Sequence, residues 1–411
     1  MNQTKPQTLK GFRDFLPETM VVRNYVKNIF IQVFETFGFE PLETPALEYA
    51  STLMGKYGQE ADKLVYSFKD QGDRSVGLRY DLTVPISKVL AIYPTTPLPF
   101  KRYQIQPVWR AEKPQKGRYR EILQCDIDIF GPPSPLNDAE IVAIIYNILA
   151  KLNFQKYSIR INSRQILSQI LDLADIKNDQ NTVLQILDKY NKIGIDGVTK
   201  EFELKGLSSS QITKLFEYIK SAQPDEYLAQ VFAVLNDFGV PNDIAIFDPT
   251  MVRGLDYYTG PIFETYVQEP KIGSITGGGR YDNLVKTLGG PDIPAVGTTV
   301  GLDRIVDCIQ ELALLPNLPK TTTKVMITNF DPTTGKQSLQ LATLLRSQNI
   351  PTLLYPTPDK LGKQFKYASD KNIPFVAILG PDELAKNIVT IKNMTTGQQQ
   401  TISAEEIKNI V

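Results

Sequence analysis

The 411 residues carry 45 Lys+Arg against 45 Asp+Glu, 42% hydrophobic residues and no histidine. This is an ordinary globular composition that excludes a disordered or collagen-like chain, and at about 150 residues per domain the length predicts two or three domains. Without histidine there is no Ser-His-Asp triad, no Cys-His pair and no His-ligated metal, so chemistry near neutral pH falls to carboxylates, Arg, Lys, Tyr or the substrate's own groups.

In chain order, Glu18–Phe37 reads as a helix, because Val22, Val26, Ile29, Phe30, Val33 and Phe37 recur at steps of three and four, with Gly38 as its stop. Phe39–Pro45 holds two prolines and reads as an edge or interface strand. Val65–Phe68 alternates into the turn Asp70–Asp73. Tyr103–Arg110 and Ile122–Phe130 read as two strands of a hairpin around a basic loop. The apolar stretch Ile141–Ala150 lies in a helix over Asp138–Leu152, with Asp138 as its N-cap. It falls short of the about 20 residues of a membrane span. About 163–235 is a mostly helical insertion. A strand over Gly297–Arg304 leads into a helix near Ile305–Leu314. The Pro- and Thr-rich break at Leu315–Thr323 sets the domain boundary, giving 1–319 and 320–411. Beyond it strands (Lys324–Thr328, Thr352–Leu354, Phe375–Leu379) alternate with helices (Lys336–Ser347, Lys360–Ser369), the pattern of a parallel-rich α/β domain. Cys125 and Cys308 form no CxxC, and MNQTKPQTLK has no apolar core. Both fit a cytoplasmic protein without disulfides and without a membrane segment.

Four segments could carry chemistry. Arg110–Glu121 holds five basic and two acidic residues. Guanidinium forks match phosphate oxygens, but a solvated charged turn has the same composition. Arg253-Gly254-Leu255-Asp256-Tyr257-Tyr258-Thr259-Gly260 could line a pocket or be a strand edge with aromatic packing. Gly277-Gly278-Gly279 lets backbone approach another molecule closely, or forms a flexible turn. Gly297–Arg304 could cover a nucleotide, or be a close-packed strand-to-helix turn. Neither a dinucleotide-binding GxGxxG nor a P-loop is present.

Together, in order and spacing, these segments resemble the histidyl-tRNA synthetases of class II. Leu9–Asp14 is similar to the opening motif of that family, Phe37–Tyr49 to the first class II motif and Leu78–Pro85 to the form seen in archaeal and eukaryotic members. Trp109–Asp128 resembles the second motif and its loop, Arg253–Gly260 and Gly277–Leu284 the two histidine-specific motifs, and Gly297–Arg304 the third class II motif. The sequence departs from the family at Ile122-Leu123, where aromatics are usual, at Asp303 for glutamate, and at Thr298-Thr299 for bulkier apolar residues.

The resemblance implies an α+β catalytic domain, an antiparallel sheet with flanking helices, followed by an anticodon-binding α/β domain. It implies a homodimer whose substrates are L-histidine, ATP with Mg2+ and histidine tRNA, with no tightly bound cofactor and no resident metal. The reaction is adenylation of histidine and transfer to the tRNA. Positioned cations would neutralise the reacting phosphate. By resemblance Arg110 and Arg253 are catalytic, and Arg110, Glu112, Arg118 and Arg304 bind ATP. Asp81, Thr83, Arg110, Gln124 and Arg253 hold the ammonium and carboxylate of histidine, and Asp128, Tyr257 and Tyr258 its imidazole. Gln115 and Arg120 would meet the acceptor end of the tRNA. From residue 321 on, ten Lys+Arg stand against seven Asp+Glu, and Lys360, Lys363 and Lys366 share a helix face.

Three other classes fit less well. The synthetase-like regulatory subunit of ATP phosphoribosyltransferase typically lacks the C-terminal domain and residues of the histidine motifs. A non-catalytic tRNA sensor would not need Arg110, Arg253 and Arg304 together. Synthetases for proline, glycine or threonine lack the paired tyrosines. The absence of histidine itself has two readings: drift in composition, or an enzyme whose synthesis does not depend on its own product.

Overall fold

The computed structural model describes residues 5–54, 63–114, 119–253 and 257–411. They form two compact units. One holds the described residues of Met1–Asp14 and Val26–Leu315, the other Phe15–Tyr25 and Pro316–Val411. No helix among the described residues is long and apolar enough to cross a membrane.

The strands of the first unit are β1 (Glu40–Pro41), β2 (Leu47–Tyr49), β3 (Tyr66–Lys69), β4 (Ser75–Leu78), β5 (Phe100–Trp109), β6 (Glu121–Phe130), β7 (Tyr157–Ser163), β8 (Ala245–Phe247), β9 (Pro261–Val267), β10 (Ser274–Arg280) and β11 (Ala295–Gly301). Eight of them form one sheet in the order β1-β5-β6-β11-β10-β9-β7-β8, while β2, β4 and β3 form a small antiparallel sheet. The large sheet is antiparallel throughout its middle, and only its outermost strands, β1 and β8, join parallel to their neighbours. The expected hairpin is β5–β6, and the Pro-bearing segment contributes the edge strand β1.

The first helix runs Pro17–Thr36 and ends before Gly38, whose φ of +77° suits a residue without Cβ. Within the first unit its stripe Val26, Ile29, Phe30, Val33 and Phe34 is buried, and Phe34 meets Tyr103 of β5 at 5.6 Å between ring centroids. The helix Pro135–Lys151 packs on β6, β10 and β11 and on the later helix Glu226–Asp237, and its Ile141, Val142, Ile144, Ile145, Ile148 and Leu149 are buried. Burying each of these side chains stabilises the fold by about 1.5–3 kcal/mol relative to leaving it in water.

That helix starts earlier than the sequence suggested. Its cap is Ser134, whose Oγ accepts from Leu136 N at 3.2 Å, and Pro135 opens the first turn. Asp138 is therefore not an N-cap. It is fully buried and accepts from Arg280 Nη2 at 2.6 Å and from Tyr227 Oη at 2.6 Å. The helical insertion lies between β7 and β8 and comprises Arg164–Leu173, Gln180–Leu187, Tyr190–Leu204, Ser209–Ser221 and Glu226–Asp237.

The second unit has a five-stranded sheet of β12 (Val325–Ile327), β13 (Thr352–Leu354), β14 (Phe375–Ile378), β15 (Val389–Asn393) and β16 (Gln399–Ile402), ordered β13-β12-β14-β15-β16. The first three in that order are parallel, as the alternation predicted; β15 and β16 add an antiparallel hairpin that it did not show. Helices Gly335–Ser347 and Leu361–Asp370 connect the parallel strands. Two of the three lysines expected to make a basic face are ion-paired, Lys363 with Asp359 at 2.8 Å and Lys366 with Asp370 at 2.8 Å.

Candidate active site

The site is laid out by strand register. Residues two apart on a strand share a face, and one face of the large sheet is polar. Arg102, Gln104 and Gln106 of β5 stand opposite Asp128, Asp126 and Gln124 of β6. Across β6, Gly297, Thr299 and Gly301 of β11 stand opposite the same three residues. Farther on, Gly277 of β10 stands opposite Thr299 of β11 on one side and Glu264 of β9 on the other. One row thus reads Gln104, Asp126, Thr299, Gly277, Glu264.

The glycines in these rows are spaces for side chains. A Cβ on Gly297 would fall 1.9 Å from Asp128 Oδ1, and one on Gly277 would fall 1.6 Å from Arg253 Nη1. The three glycines of β10 are strand residues rather than a flexible turn; Gly277 makes room for Arg253 and Gly279 for Tyr258, while a Cβ on Gly278 would meet the carbonyl of Gly297 at 2.1 Å.

Around the polar face, buried hydrogen bonds fix each functional group. Arg79 donates to the carbonyl of Thr44 at 2.5 Å and to Gln106 Oε1 at 2.8 Å from Nη1, and to the carbonyl of Pro107 at 3.0 Å from Nε. It joins the Phe39–Pro45 segment to the end of β5, where Arg110 follows. Arg110 donates from Nε to the carbonyl of Tyr80 at 3.2 Å and from Nη2 to Gln124 Oε1 at 3.4 Å. Gln124 Nε2 donates to Thr299 Oγ1 at 3.1 Å and to Asp126 Oδ1 at 3.3 Å, so its carbonyl oxygen points to the Arg110 side. Asp128 is paired with Arg102 and accepts from the hydroxyl of Tyr281, all three groups buried.

Asp81 precedes the helix Thr83–Ile92, and its Oδ1 accepts from Val84 N at 3.3 Å. Burial pushes its carboxyl up to about 6 in spite of that hydrogen bond and of Arg110 and Arg102 nearby. Burial likewise pushes Asp126 up to about 7, with Arg102 opposing. The rings of Tyr257 and Tyr258 lie 4.7 Å apart, and Tyr281 meets Tyr257 edge-on at 5.8 Å. On the far side Arg13 pairs with Asp303 at 2.9 Å and stacks on Tyr119 at 3.3 Å, while Asp303 also accepts from Leu123 N at 3.4 Å. The aspartate that departs from the family's glutamate thus ties the N-terminal motif to the third motif.

These groups enclose a cavity of about 390 Å3, within the range of about 300–1,000 Å3 usual for small-molecule sites. Asp81, Thr83, Arg110, Gln124, Asp128, Arg253, Tyr257, Tyr258 and Arg304 all line it. Arg304 also donates to the carbonyl of Ser274. Glu112 and Arg120 do not line it: Arg120 donates from Nε to the carbonyl of Glu112 at 3.1 Å and lies beside Gly11. Gln115 and Arg118 lie outside the described residues, as do residues 254–256 of the first histidine-specific motif. Asp126, Tyr281, Thr276 and Tyr119, to which the resemblance gives no individual role, also line the cavity. The polar parity Gln124, Asp126, Asp128 in an otherwise apolar strand was the available signal for Asp126.

A family model described as histidyl-tRNA synthetase matches residues 11–305, and one described as anticodon binding domain matches 324–411. The chain belongs to the histidyl-tRNA synthetase family. A histidine–tRNA ligase of Cytophaga hutchinsonii is 39% identical, with 98% of each chain covered, and one of Korarchaeum cryptofilum is 37% identical with 93% of each covered. Among solved structures, the histidyl-tRNA synthetase from Nostoc sp. PCC 7120 aligns over 100% of both chains with a TM-score of 0.86 and 29% identity. A structure from Bacillus halodurans titled as an ATP phosphoribosyltransferase regulatory subunit/histidyl-tRNA synthetase has a TM-score of 0.72 at 20% identity, with 90% of this chain and 97% of that one covered. At that identity the likeness is one of fold. The synthetase family architecture, a mixed-sheet catalytic domain with helices and a C-terminal α/β anticodon-binding domain, spans the chain.

Proposed function

We propose that this chain ligates L-histidine to histidine tRNA, with ATP and its Mg2+ as the substrate complex. The carboxylate of histidine attacks the α-phosphorus, pyrophosphate leaves, and a ribose hydroxyl at the tRNA end then takes the histidyl group from the adenylate, releasing AMP. The observation that carries this reading is the gathering of Arg110, Arg253 and Arg304 with the buried carboxylates Asp81 and Asp128 and the tyrosine pair in one cavity. Cations placed where charge develops lower the barrier to phosphoryl-type transfer.

In this reading Arg110 and Arg253 flank the α-phosphate, and Arg304, with Arg118, holds the outer phosphates. Glu112 serves the adenine side. Asp81, Thr83 and Gln124 receive the ammonium group. Asp128, with Tyr257 and Tyr258, receives the imidazole. Gln115 and Arg120 belong to the tRNA end, and 320–411 is the anticodon-binding domain. A homodimer in the cytoplasm completes the proposal.

Histidine-dependent ATP–pyrophosphate exchange tests it. Exchange with histidine alone among the amino acids, lowered by about 100-fold or more in Arg253→Ala, is expected. Exchange with another amino acid, or none with any, would overturn it.

A further inference from the structure

Arg253 is held by a residue that does not itself line the cavity. Glu264, on β9, brings Oε1 to 3.5 Å from Arg253 Nη1, a charge contact too long for a hydrogen bond. Its other oxygen is fixed from behind, accepting from Tyr266 Oη at 2.5 Å. The Tyr266 ring carries the guanidinium of Arg160 at 4.8 Å, and Arg160 is anchored on Asp248 at 3.0 Å. Glu264 is thus the near end of a chain running through β7 to the residue after β8.

On the sheet the partner of Glu264 is Gly277. The guanidinium of Arg253 occupies the space that a side chain at 277 would need. It has an acid to one side and bare backbone against it. Arg253 is nonetheless not saturated: Nε and Nη1 are buried and make no hydrogen bond with the described residues. Asp188, after the insertion helix Gln180–Leu187, shares this environment, its carboxyl raised by burial and by the charge of Glu264.

We propose that Glu264 is a positioning residue for adenylation: from the side of the buried Nη1 it holds the Arg253 guanidinium by charge rather than by a hydrogen bond, so that the group stays oriented at the cavity wall yet can shift to meet a phosphate oxygen. A fully hydrogen-bonded ion pair would have to break before Arg253 could meet the phosphate. An unrestrained arginine would have to be ordered at each turnover. The inference rests on the assignment of Arg253 to the reacting phosphate given above.

The test is a double-mutant cycle of Glu264→Gln and Arg253→Ala, read by histidine-dependent pyrophosphate exchange and by thermal melting. Glu264→Gln is expected to lower kcat by about 10- to 100-fold with little change in KM for ATP. In the Arg253→Ala background it is expected to cost nothing further, because the residue through which it acts is gone. Equal kcat in Glu264→Gln and wild type would overturn the proposal, as would a loss of the same factor in both backgrounds. Melting reads the contact without activity: the two substitutions should be non-additive in melting temperature, and additivity overturns the pairing. Failure of the wild-type enzyme to exchange with histidine would refute the ligase reading while the melting cycle still decides the contact.

Discussion

A methyl group built on the Cα of Gly277 falls 1.6 Å from Nη1 of Arg253, and the three atoms nearest to it all belong to that arginine. The closest fit is between one strand residue and one side chain. Gly277→Ala is therefore expected to drive the guanidinium out of its place and to lower kcat for pyrophosphate exchange by about 100-fold. The same substitution made in Arg253→Ala should leave the melting temperature of that variant unchanged, because the clashing atoms are absent. Scanning calorimetry of the two pairs of proteins checks this.

The buried carboxyl of Asp126 ties stability to pH. Its pKa in the folded protein, raised by burial to about 7, lies above the ordinary aspartate value of 3.8, so between these values the folded state binds more protons than the unfolded one. Stability falls as pH rises through that window, with a slope approaching about 1.4 kcal/mol per pH unit for one proton. Asp126→Asn removes this contribution. Without substrates the variant should melt close to wild type near pH 4 and progressively above it as the pH is raised to 8. Parallel melting curves across that range would refute the assignment.

Asp138, Arg280 and Tyr227 form a buried cluster that links the insertion helix Glu226–Asp237 to β10 and the helix Pro135–Lys151. Arg280 also pairs with Asp282 at 3.2 Å, and Asp282 accepts from Thr259 at 2.8 Å on the segment that follows the tyrosine pair. Asp138→Asn removes the closer of the two carboxylates that meet the buried Arg280, which keeps its contact with Asp282, so the substitution should cost about 3 kcal/mol, the lower end for a broken buried pair. Tyr227→Phe, which loses one hydrogen bond to a charged group, should cost about 1.5–3 kcal/mol. Denaturant titration followed by tryptophan fluorescence provides the comparison.

Arg110 uses its fork in two directions, toward the carbonyl of Tyr80 and toward Gln124. Lysine keeps the charge but cannot make both contacts from a planar group. Arg110→Lys is expected to lower kcat for exchange by about 100-fold or more while melting within a few degrees of wild type. Activity close to wild type would mean that charge alone suffices there.

What the sequence reveals follows local periodicity. Strands β5 and β6 and the stripe of Pro17–Thr36 are legible because their patterns repeat every two residues or every three to four. The polar side of β6 is legible for the same reason, since Gln124, Asp126 and Asp128 alternate with apolar residues. The groups that hold the site have no such signature. Arg102 meets Asp128, and Glu264 meets Gly277, only through strand register, and Arg253 reaches Glu264 from outside the strands. Asp138 precedes an apolar run and so reads as a cap; the earlier Ser134-Pro135 pair is the stronger start signal and frees the aspartate for an ion pair with a partner on β10.

The insertion occupies a connection of a particular kind. It leaves the sheet after β7 and returns at β8, and these two strands are parallel, with Ile159 beside Ala245. Parallel neighbours cannot be joined by a tight turn; the chain must travel back along the sheet, which takes about a dozen residues or more. The five helices are thus an enlarged crossover. A shortened version of this protein could shed most of them, but it would have to retain one return segment the length of the strand, or lose the edge of the sheet together with Asp248, the residue on which the Arg160–Tyr266–Glu264 chain is moored.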